Sequence, residues 1–317
     1  MKFEPEQFSQ VIEENYSHIM PDFFEMETEY LASLNLIYHD LDASLVAMVL
    51  TSGLYKHLAE QASSKDKISL KYFYQKNNYK LPINKFKINE ISLRINLPRE
   101  TVRRKKEKII KDKLIMLNKT TKMYDFNAQM VDKKIIDSQI DNLSKFISKF
   151  SIFFSKNKFF VREISRDKIK QDIEEKFLLY LVKFLDFQIG YFSKLKSILD
   201  IESIFIILLC ALNSSAQIVK KENPMRAKDL FHRIHSYNDT FGLNATSISE
   251  ITLVPRTTVL RKINILEKKG LLKKDINKRY YINDLNLAKD QKKISKILAY
   301  NTDRLGKFFS ECLEIYR

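Results

Sequence analysis

The sequence predicts a mainly helical protein built from two similar halves. Glycine and proline are scarce, with 5 and 6 in 317 residues, while apolar residues make up 44% and charged residues 30%. This composition is typical of a globular, largely helical chain. The length is about twice that of an ordinary domain, which favours two units that each bury a core.

An internal repeat at an offset of 157 residues supports the two halves. Residues 91–115 read ISLRINLPRETVRRKKEKIIKDKLI and residues 248–272 read ISEITLVPRTTVLRKINILEKKGLL, with ten of 25 positions identical. We therefore predict two domains, residues 1–160 and residues 161–317. The chain around the boundary is charged but has no Gly or Pro linker, so the halves are expected to pack together rather than hang on a flexible tether.

Three predicted helical stretches recur in each half: a leading amphipathic stretch, a long apolar helix with an acidic start, and a closing amphipathic stretch. They cover residues 8–39, 40–58 and 128–156 in the first half, and residues 167–197, 198–215 and 285–316 in the second. The longest apolar run, residues 204–212, is far shorter than the roughly 20 residues that cross a bilayer. It predicts a buried core helix.

Two short helices joined by a tight turn are predicted before each closing stretch. In the first half, an apolar stripe precedes the break at Asn96 and Leu97, and Pro98 opens the next helix, where its missing N–H is not needed. The second half repeats this order, with Thr246 or Ser247 as the predicted N-cap. The predicted inward residues are Ile88, Ile91, Ile95, Val102 and Ile109 in the first copy, and Ile248, Ile251, Val259, Ile263 and Leu266 in the second.

A strand-turn-strand pattern with a basic turn follows each helix pair, at residues 114–127 and 271–284. Two short helices with a turn of three or four residues and a basic second helix form a helix-turn-helix, whose second helix enters the major groove of DNA. A hairpin with a basic tip forms a wing that contacts phosphates or the minor groove. The sequence thus predicts two tandem winged helix-turn-helix domains, with motifs at residues 88–126 and 246–283, long flanking helices and a pseudo-two-fold arrangement.

Net positive charge is concentrated in these motifs. Residues 99–122 and residues 256–279 each carry a net charge of +7, whereas residues 1–63 carry −9, in a chain of net charge +16. Such segregation is the electrostatic footprint expected for a polyanion partner. We predict double-stranded DNA as that partner.

The repeated segments resemble a known family. The run ITLVPRTTVLRKINILEKKGLLKK is similar to the winged helix-turn-helix of bacterial transcriptional regulators, and the layout of long terminal helices resembles MarR-type regulators. Because such regulators bind DNA as homodimers through their terminal helices, the resemblance implies that this chain is a fused pseudo-dimer that acts as a monomer. It also implies a small-molecule effector, to which the sequence assigns no residue.

The predicted DNA-binding residues lie on the second helices and the wings, where Arg suits guanine or phosphate and Thr suits a base edge or phosphate. In the first copy they are Arg99, Glu100, Thr101, Arg103, Arg104, Lys105, Lys119 and Lys122. In the second they are Arg256, Thr257, Thr258, Arg261, Lys262, Lys278 and Arg279.

Two positions distinguish the first copy from the second. Gly270, at the end of the second helix, is replaced by Lys113, where a left-handed cap costs about 1 kcal/mol more. The inward Ile263 is replaced by Lys106, which must extend its ammonium to the surface or shift the helix. These differences predict that the first copy is the degenerate one.

Other functional classes find little support in the sequence. Cys210 and Cys312 are far apart, which favours core packing over a disulfide, a zinc site or a redox sensor. The five histidines give one close pair, His232 and His235, and no phosphate loop or nucleophile elbow is visible. We therefore expect no enzyme activity, metal or cofactor, and the acidic N-terminal region, which lacks a signal-peptide pattern, predicts a cytoplasmic protein.

Two alternatives to transcriptional regulation remain open. Plasmid or replication initiators also use tandem winged helices, and winged-helix proteins serve in chromosome assembly without needing a basic second helix. Binding to an iterated origin repeat rather than a promoter would identify an initiator.

Overall fold

A computed structural model describes residues 4–61, 69–75, 78–82, 87–113, 115–118, 120, 123–127, 133–156, 162–219, 223–236 and 242–314. This part of the chain is mainly helical with small antiparallel sheets, which confirms the predicted mainly α class. Among the described residues, no helix combines the length and the apolar character that crossing a membrane requires.

The elements of the described chain follow the predicted order closely. The helices are α1 (Pro5–Glu14), α2 (Tyr16–Tyr38), α3 (Leu41–Gln61), α4 (Leu70–Gln75), α5 (Ile88–Ile95), α6 (Arg99–Lys111), α7 (Lys133–Lys156), α8 (Arg166–Glu175), α9 (Phe177–Leu195), α10 (Ile201–Val219), α11 (Ala227–Ser236), α12 (Ala245–Thr252), α13 (Arg256–Lys268) and α14 (Gln291–Leu313). The strands are β1 (Asn78–Pro82), β2 (Ile115–Asn118), β3 (Met123–Asn127), β4 (Leu272–Lys274) and β5 (Tyr280–Ile282).

The chain divides into two compact units that are not the two sequence halves. One unit spans Ile37–Ser193, and the other combines Met1–Leu36 with Lys194–Arg317, as far as these ranges are described. Each unit therefore combines the short helix pair and the hairpin of one half with the leading helices of the other half. The predicted division into residues 1–160 and 161–317 follows the sequence repeat, whereas the compact units depend on where the leading helices bury their apolar faces.

Each leading amphipathic stretch is two helices rather than one. The first breaks at Asn15 (φ −117°, ψ 28°), whose backbone N–H bonds to the carbonyl of Val11, and the second breaks at Lys176 (φ −113°, ψ 35°), whose N–H bonds to that of Asp172. The break has nearly the same backbone geometry in both halves. It extends the internal repeat beyond the 25 aligned residues.

The last helix of each sequence half packs closely on the first helix of the other half. In one unit α1 lies along α14, and a Cβ added at Gly306 would stand 2.7 Å from the backbone nitrogen of Ser9 and 2.9 Å from the carbonyl oxygen of Pro5. In the other unit α7 lies along α8, and the Ser148 hydroxyl donates to the carbonyl of Ile164 at 2.8 Å. Gly306, which has no side chain, therefore permits the close approach of α1 and α14.

The long apolar helices form the core beneath the short helix pairs. Helix α3 contacts α5 and α6, and α10 contacts α12 and α13. The predicted core helix is confirmed, since the run from Ile204 to Cys210 is almost wholly buried. Both cysteines are buried, and burial raises the pKa of the Cys210 thiol to about 12, which supports core packing over redox sensing.

Candidate nucleic-acid interface

Each unit contains two short helices, a three-residue turn and an antiparallel strand pair. We call α5, α6, β2 and β3 the first module, and α12, α13, β4 and β5 the second module. The structure confirms both predicted helix pairs and both predicted strand pairs. In the first module Ile115 pairs with Phe126, and in the second Leu272 pairs with Ile282.

The turn between the two helices has the same construction in both modules. Asn96 (φ 51°) and Leu253 (φ 57°) adopt the left-handed conformation immediately after the first helix. The hydroxyl of Ser92 donates to the carbonyl of Leu97 at 2.6 Å, and that of Ser249 donates to the carbonyl of Val254 at 2.7 Å. The repeated serine thus fixes the carbonyl of the residue before proline, which sets the direction in which the second helix leaves the turn.

The second helices bury the apolar residues that the sequence predicts. Each is preceded by a proline, whose carbonyl accepts the first intrahelical hydrogen bond from Val102 or Val259 at 3.0 Å. The buried apolar residues are Val102 and Ile109 in α6, and Val259, Ile263 and Leu266 in α13. The prediction for the start of α12 is wrong, because the N-cap is Asn244, whose side chain accepts from the backbone N–H of Ser247 at 2.9 Å. Two of the other predicted inward residues, Ile88 and Ile251, are half-buried and exposed, respectively.

The two predicted differences between the copies have clear structural outcomes. Lys113 (φ 58°) takes the same left-handed conformation as Gly270 (φ 73°), so the first copy bears the strain of a side chain there. Lys106, which replaces the fully buried Ile263, extends so that its ammonium lies 4.9 Å from the centre of the Tyr124 ring. A cation–π contact thereby compensates for the lost apolar packing.

The sheet of the first module has a third strand that sequence reasoning missed. Strand β1 pairs antiparallel with β3, and Tyr79 opposes Phe126. Buried Tyr79 stacks on Phe73 with ring centroids 4.9 Å apart. In the second module a single bridge between Leu243 and Tyr280 takes this place. The alternation of Tyr79 and Leu81 was the available signal, but five residues are too few to separate it from a loop.

Most predicted DNA-binding residues are exposed, and we call the surface that they form the open face of their module. The exposed ones are Arg99, Glu100, Arg103, Arg104, Arg256, Thr257, Arg261, Lys278 and Arg279, and Thr101 and Thr258 are half-buried. Lys119 and Lys122 lie outside the described residues. Lys273 and Lys274, which we did not predict individually, are also exposed beside the second hairpin tip.

Two predicted DNA-binding lysines form internal ion pairs and do not lie on the open face, so their predicted placement is wrong. The side chain of Lys262 is only 7% exposed, and its ammonium lies 2.6 Å from Asp200 and 3.1 Å from Glu202. Lys105, at the matching position of α6, lies 2.5 Å from Asp40. Both lysines point inward because an acidic residue at the start of the underlying apolar helix attracts them.

Each of these aspartates also caps the helix beneath the module. The carboxylate of Asp40 accepts from the backbone N–H of Ala43 at 2.9 Å, and that of Asp200 accepts from Ser203 at 3.0 Å. Burial alone would raise the pKa of Asp200, but its bonds to the Lys262 ammonium and to Ser203 outweigh burial and lower that pKa to about 2. Burial and the neighbouring Asp200 raise the pKa of Glu202. The acidic helix start was visible in the sequence, but its distance from the lysine was not.

The described residues contain no cluster of three or more histidine, cysteine or acidic side chains that could hold a metal ion. His232 bonds through Nδ1 to the buried carboxylate of Asp284 at 3.0 Å. The open faces themselves carry exposed arginine, lysine and threonine side chains, together with Glu100 and Glu107 on α6.

Comparison with known proteins adds no further constraint. No family model, no curated protein and no solved structure matches the chain. The residues and geometry described above therefore carry the inference of function.

Proposed function

We propose that this chain is a cytoplasmic DNA-binding protein that recognises specific double-stranded sequences and acts as a transcriptional regulator. In this proposal both modules are winged helix-turn-helix domains of the MarR type, with α6 and α13 as recognition helices. The observation that carries it is the repeated turn geometry, which presents the N-terminal part of each second helix on an open face with exposed arginines.

The second module supports the proposal most strongly. Arg256, Thr257 and Arg261 are exposed on α13, and Lys278 and Arg279 are exposed on the following hairpin. The tip of that hairpin is ordered by Asp275, whose carboxylate accepts from the backbone N–H of Arg279 at 2.8 Å. A basic helix and a basic hairpin on one module suit a major groove and the adjoining backbone.

The composition of the compact units supports the fused pseudo-dimer. Each unit takes its module from one half of the sequence and its leading helices from the other half. Two protomers that exchange their terminal helices and are then joined into one chain would have this composition. We therefore propose that a single chain does the work of a homodimer.

Selection of duplexes from a random pool by the full-length protein tests the proposal. We expect enrichment of a defined sequence and a log–log salt slope near −5 for about six phosphate contacts. Affinity that does not change between low and high salt would contradict DNA binding. A selected sequence that occurs as an iterated array rather than at promoters would favour a replication initiator.

Two variants test the proposed roles within the second module. Arg256→Ala should weaken specific binding about tenfold and relax the preference at one base position, whereas Lys278→Ala should weaken all sequences about equally. Lys307→Ala, which removes an exposed lysine from α14, provides the control. If neither Arg256 nor Lys278 affects binding, the second module does not contact DNA.

A further inference from the structure

The recognition-helix candidates carry different charge on their open faces. In α6 the guanidinium of Arg103 lies between two carboxylates, with Nη2 2.6 Å from Glu100 and Nη1 2.9 Å from Glu107. A second bond joins Arg103 Nε to Glu100 at 3.0 Å. All three side chains are at least half exposed, so the cluster lies on the open face of the helix rather than in the core.

None of the three charges has a counterpart in the second module. At the offset of 157, Glu100, Arg103 and Glu107 correspond to Thr257, Leu260 and Asn264. Arg256 and Arg261, the counterparts of Arg99 and Arg104, lie on that face, and no acidic side chain among the described residues pairs with either of them. The Arg256 guanidinium donates instead to the neutral hydroxyl of Thr246, at 3.3 Å.

These differences change how each helix meets a phosphate. Arg103 already has both of its carboxylate partners in place, and a phosphate that approaches it also approaches Glu100 and Glu107. The bonds from Arg103 lower the pKa of Glu100, so the carboxylate stays charged across the neutral range. Arg261 meets no such repulsion and can neutralise a phosphate directly.

We propose that the two modules bind duplex DNA unequally, which rests on the proposed function. The second module anchors the chain to the phosphate backbone, and the Glu100–Arg103–Glu107 cluster limits the first module to a weak contact. The first module then adds little affinity for arbitrary sequences. It contributes to specificity through the bases that Glu100 accepts.

Two arginine variants of the full-length protein test this inequality by fluorescence anisotropy on the selected duplex. Arg261→Ala should weaken binding about tenfold and reduce the magnitude of the salt slope by about 1, whereas Arg103→Ala should change affinity less than about twofold. Both residues are exposed, so circular dichroism should show an unchanged fold. Equal losses from the two changes, or a larger loss from Arg103→Ala, would overturn the inference.

Removal of the carboxylates gives the reciprocal test. Glu100→Gln combined with Glu107→Gln should free Arg103, so that affinity for arbitrary duplexes rises and the salt slope steepens by about 1. Glu6→Gln combined with Glu13→Gln, which removes two exposed acids of α1, controls for the change in net charge. If both pairs raise affinity equally, or the α6 pair lowers it, the cluster does not limit the first module.

The two proposals fail in different ways. Parent protein that binds no duplex at any salt concentration would contradict the proposed function itself. Parent protein that binds a selected duplex but loses the same affinity from Arg103→Ala as from Arg261→Ala would retain the function and reject only the unequal division.

Discussion

At the scale of single residues, the most informative side chains are the two lysines that point inward. Lys105 and Lys262 occupy matching positions on α6 and α13, and each reaches an aspartate that caps the helix beneath it. Basic side chains therefore form ion pairs on the inner face of each helix and are proposed to bind DNA on the open face. Position on the helix, rather than charge, separates the two roles.

Replacement of Lys262 by methionine should lower the free energy of unfolding by about 1.5–3 kcal/mol, because the hydrogen bonds to Asp200 and Glu202 are lost while the apolar stem is retained. Arg261→Ala, one residue earlier and exposed, should leave stability within about 0.5 kcal/mol of the parent. Urea unfolding of both variants measures the difference. Equal stability of the two variants would show that the buried ion pair contributes nothing.

Asp40 should make stability depend on pH in the acid range. Burial raises the pKa of Asp40, but hydrogen bonds from Lys105 and Ala43 and the nearby Lys108 outweigh this and hold it below its usual value of 3.8. A carboxyl whose pKa is lower in the folded state stabilises the fold above its unfolded pKa and loses that contribution as the pH falls. Asp40→Asn should therefore be less stable than the parent at neutral pH, and the gap should narrow below about pH 4. Urea midpoints measured across this range give the comparison, and a constant gap would contradict the assignment.

At the scale of elements, local patterns were sufficient for some features and insufficient for others. The apolar spacing around Pro98 and Pro255 identified both short helix pairs, and the basic turns identified both hairpins. Strand β1 and the breaks at Asn15 and Lys176 were missed, since each depends on tertiary packing more than on local composition. The burial of Lys262 was missed for the same reason, because its partners lie about 60 residues away in sequence.

Gly306 provides a test of helix packing in the unit that contains α1 and α14. Gly306→Ala would place a Cβ 2.7 Å from the backbone nitrogen of Ser9, so the helices must separate. Overpacking costs roughly 1–3 kcal/mol, and the better helix propensity of alanine returns about 1 kcal/mol. We expect a net loss of up to about 2 kcal/mol in urea unfolding, with Lys307→Ala on the same helix near neutral. A stabilised Gly306→Ala protein would show that α1 and α14 are farther apart than described.

At the scale of the whole molecule, the internal repeat and the compact units give different divisions of the chain. Periodicity showed that residues 8–39 and 167–197 have an apolar face to bury, but not which module each would join. The units combine Met1–Leu36 with Lys194–Arg317 and leave Ile37–Ser193 as the other. A sequence-based boundary can therefore describe the duplication correctly and still miss how the copies share helices.

The last prediction concerns the symmetry of the proposed DNA site. A homodimer of identical recognition helices reads a palindrome, whereas α6 and α13 differ at Glu100 and Thr257 on their open faces. One chain should bind as a monomer, and its two half-sites should differ in sequence. Glu100 can accept from a cytosine amino group and repels phosphate, so Glu100→Thr should alter base preference in one half-site only.

Footprints and selected sequences of the parent and the Glu100→Thr protein measure this change, and sedimentation of the complex gives the number of chains bound. Thr257→Ala serves as the matched change in the second module and should affect the other half-site. A perfect palindrome occupied by two chains would contradict the fused pseudo-dimer. So would a pair of variants, Arg99→Ala and Arg256→Ala, that disturb the same base pairs, because each recognition helix is expected to read its own half-site.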